Sequence, residues 1–227
     1  MTAVSAIVSA YYAEKYLKGR LENLRDQTLV PQIVVICQFD SAEMKIAVEF
    51  QHKHEMLISP TPGIPTVYEA WNIGLGSCSG EYITSANSDD RLDPDAIRLL
   101  SKTLDKHKDY AVAYADVNRV DKIGGSPIGQ FVWKEGQFGE LMSGCFVGPM
   151  PMWRKSLHEK YGFFDHEYAS AGDYEFWLRI ASGGEKFKHV NRILGDHLER
   201  PDALEHRSPI RTTWETARAR AKYRSVA

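Results

Sequence analysis

The chain has 227 residues, 43% of them hydrophobic and 26% charged, which suits one globular α/β domain and excludes a disordered or fibrous chain. A net charge of -2 gives no electrostatic case for binding nucleic acid or an anionic membrane. No apolar run nears the roughly 18 residues that span a bilayer. The start, Met1-Thr2-Ala3-Val4-Ser5, has no basic region or signal-like core, so a cytoplasmic location is expected. Cys37, Cys78 and Cys145 lie far apart, in no metal-binding spacing, and read as buried reduced thiols.

Val4–Ala10 is apolar and small on both faces, the pattern of a buried strand. Tyr16, Leu17, Leu21 and Leu24 then recur at helical spacing up to Gln27. Ile33–Cys37 is a second buried strand. Asp40 or Ser41 caps the next helix, with Glu43 completing a capping box from Asp40. Met56–Ser59 is a short third strand, and Pro60–Pro65 a proline-punctuated loop. A helix over 66–77 carries Val67, Trp71 and Leu75, and Glu81–Ser85 is the next strand. Asp93 caps a further helix whose first position suits Pro94. Tyr110–Asp116 is another strand.

This βαβα alternation predicts a mostly parallel, doubly wound sheet in the first half. The pattern then changes. Gly124-Gly125 predicts a hairpin turn, Phe131-Val132-Trp133 a strand, and Gly144–Gly148 a small-residue strand or turn. Helices are expected over 155–161 and 174–182, and a last short strand over 187–190. An arginine-rich helix over 209–225 places Ile210, Trp214, Ala217 and Ala221 along one side. The whole reads as a single domain, 1–227. Residues to about 116 form one half and 117–208 a smaller mixed α+β half, with a C-terminal helix beyond.

Asn87-Ser88-Asp89-Asp90 stands where the fourth strand stops. Adjacent carboxylates at a strand's carboxyl end repel each other, and that crevice is where open α/β sheets bind ligands. A hard divalent cation satisfies such carboxylates and commonly holds substrate phosphates too. A second acidic cluster follows at Gly172-Asp173-Tyr174-Glu175. Against these readings stand plainer ones, a turn with capping side chains for Asn87–Asp90 and a helix N-cap for Asp173. Met150, Met152 and Trp153 suit either core packing or the wall of an acceptor pocket, since aromatic faces stack on sugars.

Four segments in this order resemble the family 2 glycosyltransferases of the GT-A fold. They are Val4–Tyr12 with the helix ending Leu24–Thr28; Ala70–Leu75 with Gly80–Ile83; Asn87–Pro94; and Gly162–Asp165 with Asp173–Arg179. The resemblance implies a Rossmann-like, mostly parallel central sheet flanked by helices, with the first half binding a nucleotide sugar and the second an acceptor. It implies a nucleotide-diphosphate-sugar donor (a UDP-sugar by default), a sugar or glycoconjugate acceptor, a Mn2+ or Mg2+ ion, and transfer with inversion. Asn87-Ser88-Asp89 occupies the place of the family's Asp-x-Asp motif, with one charge missing. Asp89 is then the main metal ligand, Asp90 a supporting carboxylate, and His197 and His206 candidate further ligands. Asp173 stands where the family carries its catalytic base, and Gly172 replaces the acid that usually precedes it. Donor contacts are expected from Ala10, Tyr11, Gln38, Asn72, Asn87, Ser88 and Arg91, and acceptor contacts from Trp153 and Gly172. Gln38 replaces the usual acidic reader of the nucleobase, and its amide offers both a donor and an acceptor.

Two readings compete. A nucleotidyltransferase joins a similar sheet to a metal-diphosphate site, but Ala10–Glu14 is not a glycine- and basic-rich phosphate loop. A catalytically silent sugar-nucleotide-binding module is favoured by Asn87 and Gln38, and would not hydrolyse a nucleotide sugar.

Overall fold

The computed structural model describes residues 2–200 and 208–226. Its first half is built of β1 (Val4–Ala10), α1 (Glu14–Arg25), β2 (Gln32–Gln38), α2 (Ala42–Gln51), β3 (Leu57–Thr61), α3 (Val67–Ser77) and β4 (Tyr82–Ser85). There follow β5 (Arg91–Leu92), α4 (Ala96–Lys106), β6 (Tyr110–Val120), β7 (Gly129–Phe131), α5 (Phe138–Ser143) and β8 (Met152–Arg154). The chain closes with α6 (Leu157–Tyr161), α7 (Gly172–Ser182), β9 (Lys186–Leu198) and α8 (Pro209–Lys222).

The strands of the described residues form one sheet in the order β3-β2-β1-β4-β8-β6-β9-β5, with β7 paired to β6. Strands β3, β2, β1 and β4 are parallel, as are β6 and β9, while β8 runs antiparallel between β4 and β6. Alternation within each strand fills two cores. Ile7, Val34 and Ile36 face α3 and α7, whereas Ala6, Val8, Ile33 and Val35 face α1, α2 and α4. From β1 the chain runs outward through β2 and β3, then returns to β4 on the other side of β1. The carboxyl ends of β1 and β4 therefore flank a topological switch point, where such sheets bind ligands.

Local chemistry sets the boundaries. Thr66 and Glu69 form a capping box at the start of α3. At α2 the cap is Ser41, whose hydroxyl accepts from Met44 N; Asp40 instead turns the chain at φ 59°. Helix α4 starts at Ala96, later than Asp93-Pro94 predicts, because Arg91-Leu92 pairs with β9 and the Asp93 carboxylate accepts from Asp95 N. The last strand is far longer than the expected 187–190, because β9 runs beside β6 through register shifts. Strand β8 and helix α5 went unread, and Gly144–Gly148 is no strand. Cys37 and Cys78 are buried, and burial pushes both thiols up to about 11. Cys145, expected to be buried, is exposed as a residue. Among the described residues no helix is long and apolar enough to cross a membrane.

Candidate active site

The switch point opens into a cleft of about 500 Å³. The end of β1 supplies Ser9, Tyr11 and Tyr12, and the first turn of α3 supplies Thr66, Val67 and Tyr68. Asn87–Asp90 enter from the end of β4, Ala169 and Asp173 from the start of α7, and His197, Leu198 and Arg200 from the end of β9. Tyr12 sits at φ 55°, a left-handed conformation uncommon for a bulky residue, and its ring lies exposed at the mouth. The Tyr11 hydroxyl is 2.9 Å from Thr61 Oγ1, tying the end of β1 to that of β3.

The two aspartates differ. Asp90 is buried; its Oδ1 accepts from Leu198 N at 3.2 Å and lies 3.0 Å from His197 Nδ1, and its Oδ2 accepts from Asn87 Nδ2 at 3.3 Å. Asp89 reaches Arg200, with Oδ2 at 2.7 Å from Nη2. Burial, reinforced by the charge of Asp90, raises the Asp89 carboxyl above its usual value, and Arg200 opposes the rise. Beneath the pair, Arg20 is fully buried and donates to the Asp90 carbonyl at 3.2 Å. Burial lowers its guanidinium to about 10 while Asp90 pulls the other way, so Arg20 stays charged at neutral pH. Its Nε and Nη2 have no hydrogen-bond partner among the described residues. A buried cation thus offsets the buried Asp90 and its half-buried neighbour Asp89, the arrangement such charges need.

Asp173 begins α7. Its Oδ1 accepts from the Tyr68 hydroxyl at 2.9 Å and from Tyr174 N at 2.8 Å. Burial, and then the Asp173 charge, raises the Tyr68 phenol well above its ordinary value, so it remains a proton donor. Beyond Asp173 lies a second compartment of about 400 Å³, whose walls include Phe131, Trp133, Pro149, Pro151 and Trp177. The Phe131 and Trp133 rings stack at 5.7 Å. Four residues border both spaces: Trp71, Asn87, Asp173 and His197. The buried indole Nε1 of Trp71 has no hydrogen-bond partner among the described residues.

The structure thus brings Tyr11, Asn87, Ser88, Asp89, Asp90, His197 and Asp173 to one cleft, and corrects several expectations. Trp153 is fully buried, donates from Nε1 to His158 Nε2 at 2.9 Å, and cannot touch an acceptor. Gly172 is buried under the Tyr68 ring, which a Cβ would meet at 2.7 Å, so its place is in packing. Arg91 donates to the carbonyls of Ser88, Asp90 and Tyr16, holding the turn rather than facing the cleft. Asn72 clamps the Phe164 backbone with its side-chain amide, Nδ2 donating to the carbonyl and Oδ1 accepting from the N–H, outside the cleft. The Ala10 side chain is in the core. Gln38 ends β2 in register with Thr61, at the correct end of the sheet but not among the cleft-lining residues. His206 lies outside the described residues. Among the described residues no three His, Cys, Asp or Glu side chains gather as a metal cluster; Asp90 and His197 pair with each other. Sequence reading missed Arg20, Tyr68 and Arg200. Arg20 left a signal: three residues after Leu17, it falls within the apolar stripe of α1.

A curled, mostly parallel sheet opening on a carboxylate-lined cleft at its switch point defines a GT-A glycosyltransferase domain. The Staphylococcus aureus TarS fragment 1–349 in complex with UDP-GlcNAc superposes with a TM-score of 0.79 at 19% identity, covering 97% of this chain and 66% of that one. The mannosyltransferase PcManGT of Pyrobaculum calidifontis, with GDP-Man and Mn2+, gives 0.76 at 16% identity over 97% of this chain and 64% of its own. The chain belongs to glycosyl transferase family 2, whose family model matches residues 5–161. Relatives include a chondroitin synthase of Escherichia coli, 26% identical over 192 residues, and a hyaluronan synthase of Pasteurella multocida, 27% identical over 195. Each alignment takes in 84% of this chain, but the chain spans only 28% and 20% of those relatives.

Proposed function

We propose that this domain transfers a sugar from a nucleotide-diphosphate donor to an acceptor hydroxyl in one displacement that inverts the anomeric carbon. The observation that carries this reading is the position of Asp173, where the Asn87–Asp90 cleft meets the second compartment. The donor diphosphate lies against Asn87–Asp90, and the acceptor enters past Phe131 and Trp133. Asp173, its carboxylate held by Tyr68 and by Tyr174 N, takes the proton of the attacking hydroxyl as the new bond forms. The Trp71 indole, a buried donor at the junction, suits a sugar hydroxyl.

The donor set fits a hard divalent cation, Mn2+ or Mg2+. Burial, and then the charge of Asp90, raises the Asp89 carboxyl, and a divalent cation would relieve both while competing with Arg200 for the same carboxylate. Asp89 would hold the ion. A neutral His197 whose Nδ1–H is held by Asp90 would offer Nε2 to the ion, in the manner of a carboxylate-oriented histidine ligand. One or two protein ligands with substrate phosphates are a usual set for such ions. When bound, the ion supplies Lewis-acid stabilisation of the leaving diphosphate.

The UDP and UDP-GlcNAc complexes of TarS support a UDP-sugar donor, and the GDP-Man and Mn2+ complex of PcManGT supports a metal. Relatives that are polysaccharide synthases support a saccharide acceptor. The test is incubation with UDP-GlcNAc or GDP-Man, with and without Mn2+, followed by NMR of the released or transferred sugar. Metal-dependent release with an inverted anomeric centre is expected. A retained configuration overturns the mechanism, and nucleotide-sugar binding without any turnover returns the reading to a silent binding module.

A further inference from the structure

Glu215 lies on α8, far in sequence from the cleft, yet its carboxylate ends beneath the catalytic loop. It is 1% exposed. It accepts from the backbone N–H groups of Ala169, Ser170 and Ala171 at 2.8–3.1 Å, and from the Ser170 hydroxyl at 3.1 Å. Arg211, one turn earlier on α8, donates to it at 2.9 Å. Burial alone would raise this carboxyl, but the donors from Ser170, Ala169 and Arg211 outweigh it and hold Glu215 below its usual value. The charge also sits at the N-terminal end of α7, where the helix dipole favours an anion. Consecutive N–H groups turned to one point form an anion-binding nest. Here the chain fills its own nest.

The nest is two residues from the reacting group. Ala171 is the N-cap of α7, Asp173 is in its first turn, and Ala169 lines the cleft. Helix α8 grips the same loop at two more points, Lys222 to Asp165 at 3.0 Å and Arg218 to Glu167 at 2.5 Å. The Tyr68 hydroxyl fixes Asp173 from the cleft side. Nothing else buried and charged holds residues 169–171 from behind among the described residues.

We infer that Glu215 is a positioning residue for the transfer reaction. Its carboxylate sets the 169–171 loop, and through it the place of Asp173 at the junction of the two compartments. The inference rests on the reading of Asp173 as the base. A carboxylate on a nest acts here through geometry and not through proton transfer, so its loss shows in turnover, while Asn87–Asp90, set by the end of β4, keep their hold on the donor diphosphate.

The test is chemical rescue. In Glu215→Ala the nest is emptied, and kcat for hydrolysis of UDP-GlcNAc or GDP-Man should fall about 10- to 100-fold, the scale of a catalytic group displaced by about 1 Å. The dissociation constant of the same nucleotide sugar, measured by calorimetry, should stay within about twofold of the wild type. Formate or acetate should restore part of the lost kcat, and chloride at equal ionic strength should not. Wild-type kcat in Glu215→Ala overturns the inference, as does a loss that small carboxylates leave untouched. Should Glu215→Ala not fold, Glu215→Gln takes its place, with hydrogen exchange as the readout. Amides 169–174 should exchange faster while the sheet stays protected, and unchanged exchange overturns the inference. Failure of the base reading shows separately, as an Asp173→Asn protein that keeps wild-type turnover.

Discussion

The Tyr68 hydroxyl donates to Asp173 Oδ1 at 2.9 Å, joining the first turns of two helices 105 residues apart in the chain. The bond fixes the carboxylate on the line between the two compartments. Two substitutions separate base from holder. Asp173→Asn keeps shape but cannot take a proton, so kcat should fall about 10²–10⁴-fold while donor affinity is unchanged. Tyr68→Phe should cost about 10-fold in kcat, the scale of one hydrogen bond to a charged group. In the double variant the two losses should not add, since Tyr68 acts through Asp173. Additive losses in single-turnover kinetics would count against this coupling.

Gly172 makes that bond possible. A Cβ there would lie 2.7 Å from the Tyr68 ring, and the ring is buried, so it cannot swing aside freely. Gly172→Ala should lower stability by about 1–3 kcal/mol through overpacking, and lower kcat by moving the Tyr68 hydroxyl. Urea unfolding checks the first effect. In a Tyr68→Ala background the penalty should vanish; a penalty that persists there would place the clash elsewhere.

The parallel half of the fold was legible because each buried strand is an apolar run and each helix an apolar stripe. Val4–Ala10, Ile33–Cys37 and Leu17–Leu24 announce themselves in that way. The second half was less so. Strand β8 spans only Met152–Arg154, and its pairing between β4 and β6 is decided by partners remote in sequence. In the site, Asn87–Asp90 stood out because adjacent carboxylates at a strand's carboxyl end repel each other, and Asp173 because it stands where the resembled family carries its base. The role of Gly172 did not, because what matters there is the ring above it. Arg91 and Asn72 read as ligand groups by their polarity, yet their hydrogen bonds close on backbone carbonyls and amides, which no local pattern shows. Trp153 had the chemistry of a sugar platform but the address of a core residue.

Asp89 carries the metal prediction. Its carboxylate lies on the cleft, raised by burial and by Asp90. Titration of the wild type with UDP should show tighter binding when Mn2+ is present. Asp89→Ala should bind UDP equally with and without Mn2+, at the wild-type metal-free affinity. If GDP binds and UDP does not, the same comparison runs with GDP. A folded Asp89→Ala protein whose nucleotide affinity still responds to Mn2+ would remove Asp89 from the metal's ligands.

His158 gives the fold a pH dependence of its own. The Trp153 indole donates to His158 Nε2 at 2.9 Å, and Nδ1 lies 3.2 Å from the Gly162 carbonyl, the pattern of a neutral ring protonated on Nδ1. The ring stacks on Phe176 at 4.8 Å. Burial lowers its pKa from an ordinary 6.5 to about 4, against the pull of the Gly162 carbonyl and with help from Arg179 and Lys155. The unfolded chain therefore takes up this proton near pH 6.5 and the folded chain only near pH 4. Between those values the unfolded state binds more protons, so stability falls as pH falls. The contribution is complete above pH 6.5 and lost by about pH 4, and amounts to about 3 kcal/mol. His158→Gln keeps an acceptor for Trp153 but cannot titrate. Urea unfolding of both proteins between pH 7.5 and pH 4 should show a steeper decline in the wild type, with the two curves converging at low pH. Parallel curves across that range would mean that His158 is protonated as easily in the folded protein as in the unfolded chain.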